Sequence, residues 1–217
     1  MLEKLTDPTY QILSRPDKSV LRYLDAIMAS NPMHPVFYEI GIGIGATTLP
    51  VTEKMNNSGE ILLFSREKDV RALASDLLER GYSNVNANWG SPNNTYSGYH
   101  FELAIGAVEK RLPMFDLAYI DGGHVFHLDA PTACVLKELC KPGGYMIFDD
   151  YDWYLGKSPT WSPAKRPATA IEYDQRQIET RHVKLVCQLF MDTDTRFEFV
   201  GMDSDTVTYR RLPDATR

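Results

Sequence analysis

The chain has 217 residues, 43% of them apolar and 24% charged, with a formal net charge of −6. That size and mix suit one α/β domain with a full core and are short for two. The acidic balance argues against a broad nucleic-acid-binding surface, and no apolar run approaches the roughly 20 residues that span a bilayer, so neither a nucleic-acid nor a membrane partner is expected. Met1 to Pro8 does not read as a signal peptide, and Cys134, Cys140 and Cys187 lack zinc-site spacing. A reducing, cytoplasmic setting is the default expectation.

Residues 1–34 read as an N-terminal helical extension. Pro16 can open a helix, and Val20, Leu21, Leu24 and Ile27 then recur at helical spacing. The apolar run 35–40 predicts a buried first strand, which ends in Glu39 and three glycines at alternate positions, Gly41, Gly43 and Gly45. Such glycines let the backbone turn sharply and approach a ligand. A helix from about Ala46 to Met55 would then point its free N–H groups at that ligand. After the turn Asn56–Gly59, Ile61–Phe64 is the second strand, and Asp69–Arg80 is a helix closed by Gly81. Val85–Asn88 is a third strand. Residues 90–100 are polar and turn-rich, and 101–110 reads as a helix.

Phe115–Ile120 is the fourth strand, followed by a helix from about Ala130 to Cys140. Lys141-Pro142-Gly143-Gly144 stops that helix before the fifth strand, Tyr145–Phe148. The segment Tyr151–Pro167 is a loop with three prolines and two tryptophans. A helix begins near Ala168, and Val183–Phe190 fits either helix or strand. Phe197–Val200 and Thr206–Tyr209 read as a terminal hairpin around Asp203-Ser204-Asp205. Strands alternating with helices imply a Rossmann-like, doubly wound, mostly parallel sheet, here of seven strands with an antiparallel C-terminal hairpin.

Ligands of such sheets bind outside the carboxyl ends of the strands, where Asp121 ends the fourth strand and Asp149 and Asp150 end the fifth. Three converging carboxylates repel one another, and a hard divalent cation, Mg²⁺, Mn²⁺ or Ca²⁺, would offset that repulsion.

The order E-x-G-x-G-x-G from Glu39 to Gly45 resembles the first motif of class I S-adenosylmethionine-dependent methyltransferases. Y-I-D-G-G-H at 119–124, then K-P-G-G-Y-M-I-F-D-D-Y at 141–151, resembles the metal-dependent small-molecule O-methyltransferases, closest to the branch acting on macrolide and antibiotic sugars. The resemblance covers roughly residues 35–210, and it implies a methyltransferase domain over 35–217. It implies that Glu39, Gly41, Gly43 and Gly45 bind the methionine end of S-adenosylmethionine, with Asp121 nearby. It implies that Asp121, Asp149 and Asp150 hold Mg²⁺ and that His124 is the general base; His127 is a second candidate base. The acceptor would be a hydroxylated small molecule, a sugar or a phenol. A base with a pKa near neutrality suits removal of the hydroxyl proton.

One position departs from the family. Where most members have an acid at the end of the second strand to hold the ribose, this chain has Ser65, and Glu67 is the nearest acid. Trp89 follows the third strand, at the family's adenine pocket, and fits either a stacking or a packing role. The loop carrying Trp153, Tyr154, Lys157, Trp161, Lys165 and Arg166 fits a substrate lid. Residues 1–34 fit a cover for the site or a homo-oligomer contact. Gly41, Gly43 and Ala46 also match a dinucleotide fingerprint, and Arg66 suits a 2′-phosphate, so an NAD(P)-dependent oxidoreductase is one alternative. A non-catalytic binding protein of the same fold is the other.

Overall fold

The computed structural model describes residues 1–30, 33–92 and 98–214, so part of the polar stretch 90–100 lies outside the described residues. Two 3₁₀ turns, Leu2–Thr6 and Pro8–Tyr10, lead into helix α1 (Lys18–Ser30). Then follow β1 (Val36–Ile40), α2 (Thr48–Met55), β2 (Glu60–Phe64), α3 (Glu67–Glu79) and β3 (Val85–Asn86). The second half contains α4 (Tyr99–Val108), β4 (Phe115–Ile120), α5 (Phe126–Leu139) and β5 (Cys140–Phe148). It closes with short helices α6 (Thr169–Glu172), α7 (Gln175–Glu179) and α8 (His182–Val186), a π-helical turn Cys187–Met191, and strands β6 (Phe197–Asp203) and β7 (Thr206–Arg211).

The strands form one seven-stranded sheet in the order β3-β2-β1-β4-β5-β7-β6. β1 to β5 run parallel, and the hairpin β6–β7 adds antiparallel on β5. The order reverses between β1 and β4, which opens the crevice where such sheets take ligands. Side chains alternate across the sheet and build two cores. Tyr38, Ile40, Ala118 and Ile120 pack with residues of α4 and α5, while Phe37, Leu117 and Tyr119 pack with residues of α1, α2 and α3. Glu39 therefore faces α2, because it shares the face of Phe37.

Several boundaries moved for local reasons. The third strand pairs over two residues only. Asn86 gives its side-chain amide to Glu60 and takes the Asn88 N–H on its oxygen, and this local bonding competes with the ladder. Helix α5 begins four residues before Ala130, so Pro131 lies inside it rather than in its first turn. The undecided stretch 183–190 is helical. Among the described residues no helix is long and apolar enough to cross a membrane.

Candidate active site

The turn after β1 is built from backbone conformations that only glycine adopts freely. Gly41, Gly43 and Gly45 have φ of 82°, 48° and 88°. The Gly41 N–H donates to the Phe64 carbonyl at 2.8 Å. A Cβ on Gly41 would stand 1.9 Å from the Asp121 carbonyl oxygen, so this glycine lets the ends of β1 and β4 touch. A Cβ on Gly43 would meet nothing within 4 Å. The turn thus closes onto β4 at one glycine and leaves open space at the next. Helix α2 starts at Thr48, two residues later than expected, with no side-chain cap at Thr47, and its Leu49 N–H donates back to the Gly45 carbonyl at 3.0 Å.

Glu39 is 2% exposed. Its Oε2 accepts the Thr48 hydroxyl at 2.7 Å. Burial pushes its pKa up to about 8, with the Thr48 bond opposing and the Asp121 charge reinforcing the rise. A buried carboxyl in this state favours a cation brought alongside it.

The expected ribose and adenine residues lie together but differ in availability. Ser65 is buried and its carbonyl accepts the Ser91 N–H at 2.8 Å, while Glu67 N–H donates to the Ser91 carbonyl at 2.8 Å. The Glu67 carboxylate pairs with Arg71 one turn along α3, so it does not reach back to replace the missing acid. Trp89 is 4% exposed, stacked on Phe64, under the Arg111 guanidinium and against Gly106. That makes it a packing residue. Its indole N–H is buried without a hydrogen-bond partner among the described residues.

Across the crevice, the structure brings Asp121, His124 and Asp150 together. His124 Nε2 lies 3.3 Å from Asp121 Oδ1 and 3.5 Å from Asp150 Oδ2. His124 and Asp150 both have left-handed backbones, at φ 49° and 57°. Two non-glycine residues in that region, facing each other, carry strain of order 1 kcal/mol each. Burial of the ring opposes its charge, but Asp121, Asp150 and Asp129 outweigh it and raise the His124 pKa to about 10. The expected base with a pKa near neutrality is therefore corrected: flanking carboxylates hold a proton on it.

Asp149 does not join this group. Its Oδ2 accepts the Tyr119 hydroxyl at 3.0 Å and its Oδ1 accepts the Thr206 hydroxyl at 2.8 Å. Thr206 also bonds Asp17 at the start of α1. Alternation puts Asp149 on the α1 face with Ile147 and, across the ladder, beside Tyr119 and Asp121, whereas the left-handed turn at Asp150 aims that side chain elsewhere. Asp149 thus spends both carboxylate oxygens on hydroxyls, and His124 fills the space between Asp121 and Asp150. Among the described residues no group of three His, Cys, Asp or Glu side chains is arranged to hold a metal ion. As the donors stand, they do not fit Mg²⁺.

Of the lid residues, Trp153 packs beside His124, with ring centres 5.6 Å apart. Lys157 lies over Tyr154, and Arg166 over Trp161 while also pairing with Glu172. Lys165 is exposed. His127 packs near Tyr173 instead of the acids. A hollow of about 450 Å³ beside the loop is lined by Tyr154, Gly156, Gln175, Ile178, Glu179 and Arg181, and by none of the expected cofactor residues.

Four site residues escaped sequence reading: Thr48, Tyr99, Asp129 and Tyr119. The Tyr99 hydroxyl accepts the Gly123 N–H at 3.0 Å and lies 3.5 Å from Asp129, which is 1% exposed. Only Asp129 had a signal, a carboxylate on an otherwise apolar face of α5.

The fold has many relatives among solved structures. Methyltransferase PaMTH1 of Podospora anserina, solved with S-adenosylhomocysteine, is 15% identical with a TM-score of 0.61, over 98% of this chain and 86% of that one. The O-methyltransferase TomG of Streptomyces achromogenes, from tomaymycin synthesis and solved with S-adenosylmethionine, is 11% identical with a TM-score of 0.57, over 95% and 94%. MycE, of the mycinamycin pathway, solved with Mg and S-adenosylhomocysteine, is 15% identical with a TM-score of 0.52, over 88% of this chain and 49% of that one. No curated protein matches the chain. The family described as Methyltransferase domain matches residues 38–151, more than half of the sequence, and spans both the glycine turn and the acid–histidine group. That match removes the oxidoreductase alternative: the chain belongs to the methyltransferase domain family.

Proposed function

We propose that this chain transfers the methyl group of S-adenosylmethionine to a hydroxyl of a small molecule. The carrying observation is the contact of Gly41 with the Asp121 backbone, which puts the glycine turn and the His124 group in one crevice. The open space over Gly43 suits the cofactor, and buried Glu39 suits the cationic amino end of its methionine. PaMTH1, MycE and TomG, which share the fold, hold that cofactor or its demethylated product. TomG and MycE belong to natural-product pathways, which supports a natural-product sugar or phenol as acceptor.

In the reaction the S–CH₃ bond breaks as the O–CH₃ bond forms, and S-adenosylhomocysteine leaves. The hydroxyl proton goes to His124 in its neutral form, while Asp121 and Asp150 stabilise the imidazolium that results. In-line approach to a sulfonium makes positioning the main contribution. Asp149 is held by the Tyr119 and Thr206 hydroxyls and takes no part in this proton transfer. Residues 1–34 serve as a cover in this reading: Leu2 packs near Gly45, and Asp17 N–H donates to the Thr47 hydroxyl at 3.0 Å.

Calorimetric titration with S-adenosylmethionine tests the first half. Micromolar binding supports the reading, and no binding overturns it. Formation of S-adenosylhomocysteine with a panel of sugars and phenols tests the second half.

A further inference from the structure

Helix α5 starts immediately after the turn that carries His124, and its N-cap, Val125, offers no side-chain cap. The first-turn N–H groups of a helix have no partner within it. Here the Phe126 N–H donates to Nδ1 of His182 at 3.0 Å. The same ring bonds the Gln177 carbonyl through Nε2 at 2.7 Å. A carbonyl can only accept, and an amide N–H can only donate. The two bonds together specify one form of the ring, neutral with its hydrogen on Nε2.

His182 is 4% exposed. It joins three pieces distant in sequence: the first residue of α5, the capping-box residue of α7, and α8 itself. The turn 121–126 is then held at three points. Asp121 N–H donates to the Ile40 carbonyl at 2.8 Å, Gly123 N–H to the Tyr99 hydroxyl, and Phe126 N–H to His182. The first two lie before His124 and the third lies after it, next to the Val125 carbonyl that accepts the Leu128 and Asp129 N–H groups. His124 has a strained left-handed backbone, and such a conformation persists only when its surroundings over-determine it.

We propose that His182 is a positioning residue, whose neutral ring caps α5 at Phe126 and so holds His124 between Asp121 and Asp150. The effect on methyl transfer rests on the methyltransferase reading; the tether itself does not. Protonation of His182 would replace the Nδ1 acceptor with a donor facing the Phe126 N–H. Burial lowers the pKa of this ring, opposed by the Gln177 bond and helped by His127. The titratable groups facing it are His127 on α5 and Tyr173 after α6; Lys184 on its own helix pairs with Asp152. The cap is therefore complete at neutral pH and, because burial lowers the ring's pKa, it persists to a pH below the ordinary histidine value of about 6.5.

The test compares the wild type with His182→Leu and His182→Asn. Asparagine places an acceptor where Nδ1 stood, and leucine does not. Three readouts are taken: hydrogen-exchange protection of the Phe126 amide, S-adenosylmethionine affinity, and turnover. The proposal expects Leu to lose Phe126 protection and to lower turnover between about tenfold and hundredfold, with cofactor affinity unchanged. It expects Asn to restore most of both. Equal Phe126 protection in Leu and wild type, or full turnover in Leu, overturns it. If the Leu variant does not fold, nitrogen NMR of the wild-type ring decides: a neutral Nε2–H form at pH 7 supports the cap, and the other tautomer or a charged ring overturns it. A wild type that binds no cofactor refutes the methyltransferase reading, while exchange and NMR still decide the tether.

Discussion

The two sides of the crevice are built by different means. The glycine turn takes its conformation from local sequence, three left-handed glycines and one buried acid within seven residues, and meets the rest of the fold through backbone at Phe64 and Asp121. The acid–histidine side is a tertiary object. His124 takes its place from Asp150 just past the end of β5, and its turn is held by Tyr99 and, through Phe126, by His182. A motif can specify the first side by itself. The second depends on residues up to about 60 positions away in sequence, so a motif match says less about how it works.

The largest expected effect is on the tertiary side. His124→Gln should lower turnover by about 10²–10⁴-fold and leave cofactor affinity within about twofold. A parallel loss of affinity would show that the two sides are not separable. In the wild type, the His124 pKa is raised to about 10, and the base must be neutral to act. The rate should therefore climb with pH toward that value, and a plateau below pH 8 would mean that another group takes the proton.

On the glycine side, Gly41→Ala drives a Cβ into the Asp121 carbonyl and should destabilise the protein by about 3 kcal/mol or more by denaturant unfolding. Gly43→Ala meets open space and carries only left-handed strain, about 1 kcal/mol. It should weaken cofactor binding far more than stability. Equal stability losses in the two variants would remove the distinction drawn between these glycines.

Asp149→Ala separates the acids. Asp149 accepts hydroxyls from Tyr119 and Thr206, so its loss should cost about 1–3 kcal/mol in thermal or denaturant unfolding. Unchanged stability with abolished turnover would instead return it to the catalytic group. Glu39 tests the local side by pH. Its pKa is raised on folding to about 8. The folded state thus holds a proton that the unfolded state has released between about pH 4.3 and 8, and stability falls as pH rises through that window. Glu39→Gln should be more stable than wild type at pH 9, with weaker cofactor binding. The smallest effect concerns metal. With Asp149 turned away, added Mg²⁺ should shift the melting temperature by less than about 1 °C. A larger rise would mean that Asp149 rotates to complete a site.

Much of this protein was legible in the sequence. Apolar runs at strand length and helical spacing placed all seven strands, and the reversal point of a doubly wound sheet located Glu39, the glycines, Asp121, Asp149 and Asp150 at one edge. These features are local, or follow from the hand of strand–helix connections. What tertiary structure decided was direction and pairing. Asp149 and Asp150 are neighbours in sequence, yet alternation and one left-handed residue send them to different partners. Trp89 became core because Phe64, Gly106 and Arg111 close around it. The charge on His124 and the cap at Phe126 come from carboxylates and a histidine on separate elements. Residue type sets what a side chain can do, but burial and the groups packed around it set its protonation and its partner, and those exist only once the chain has folded.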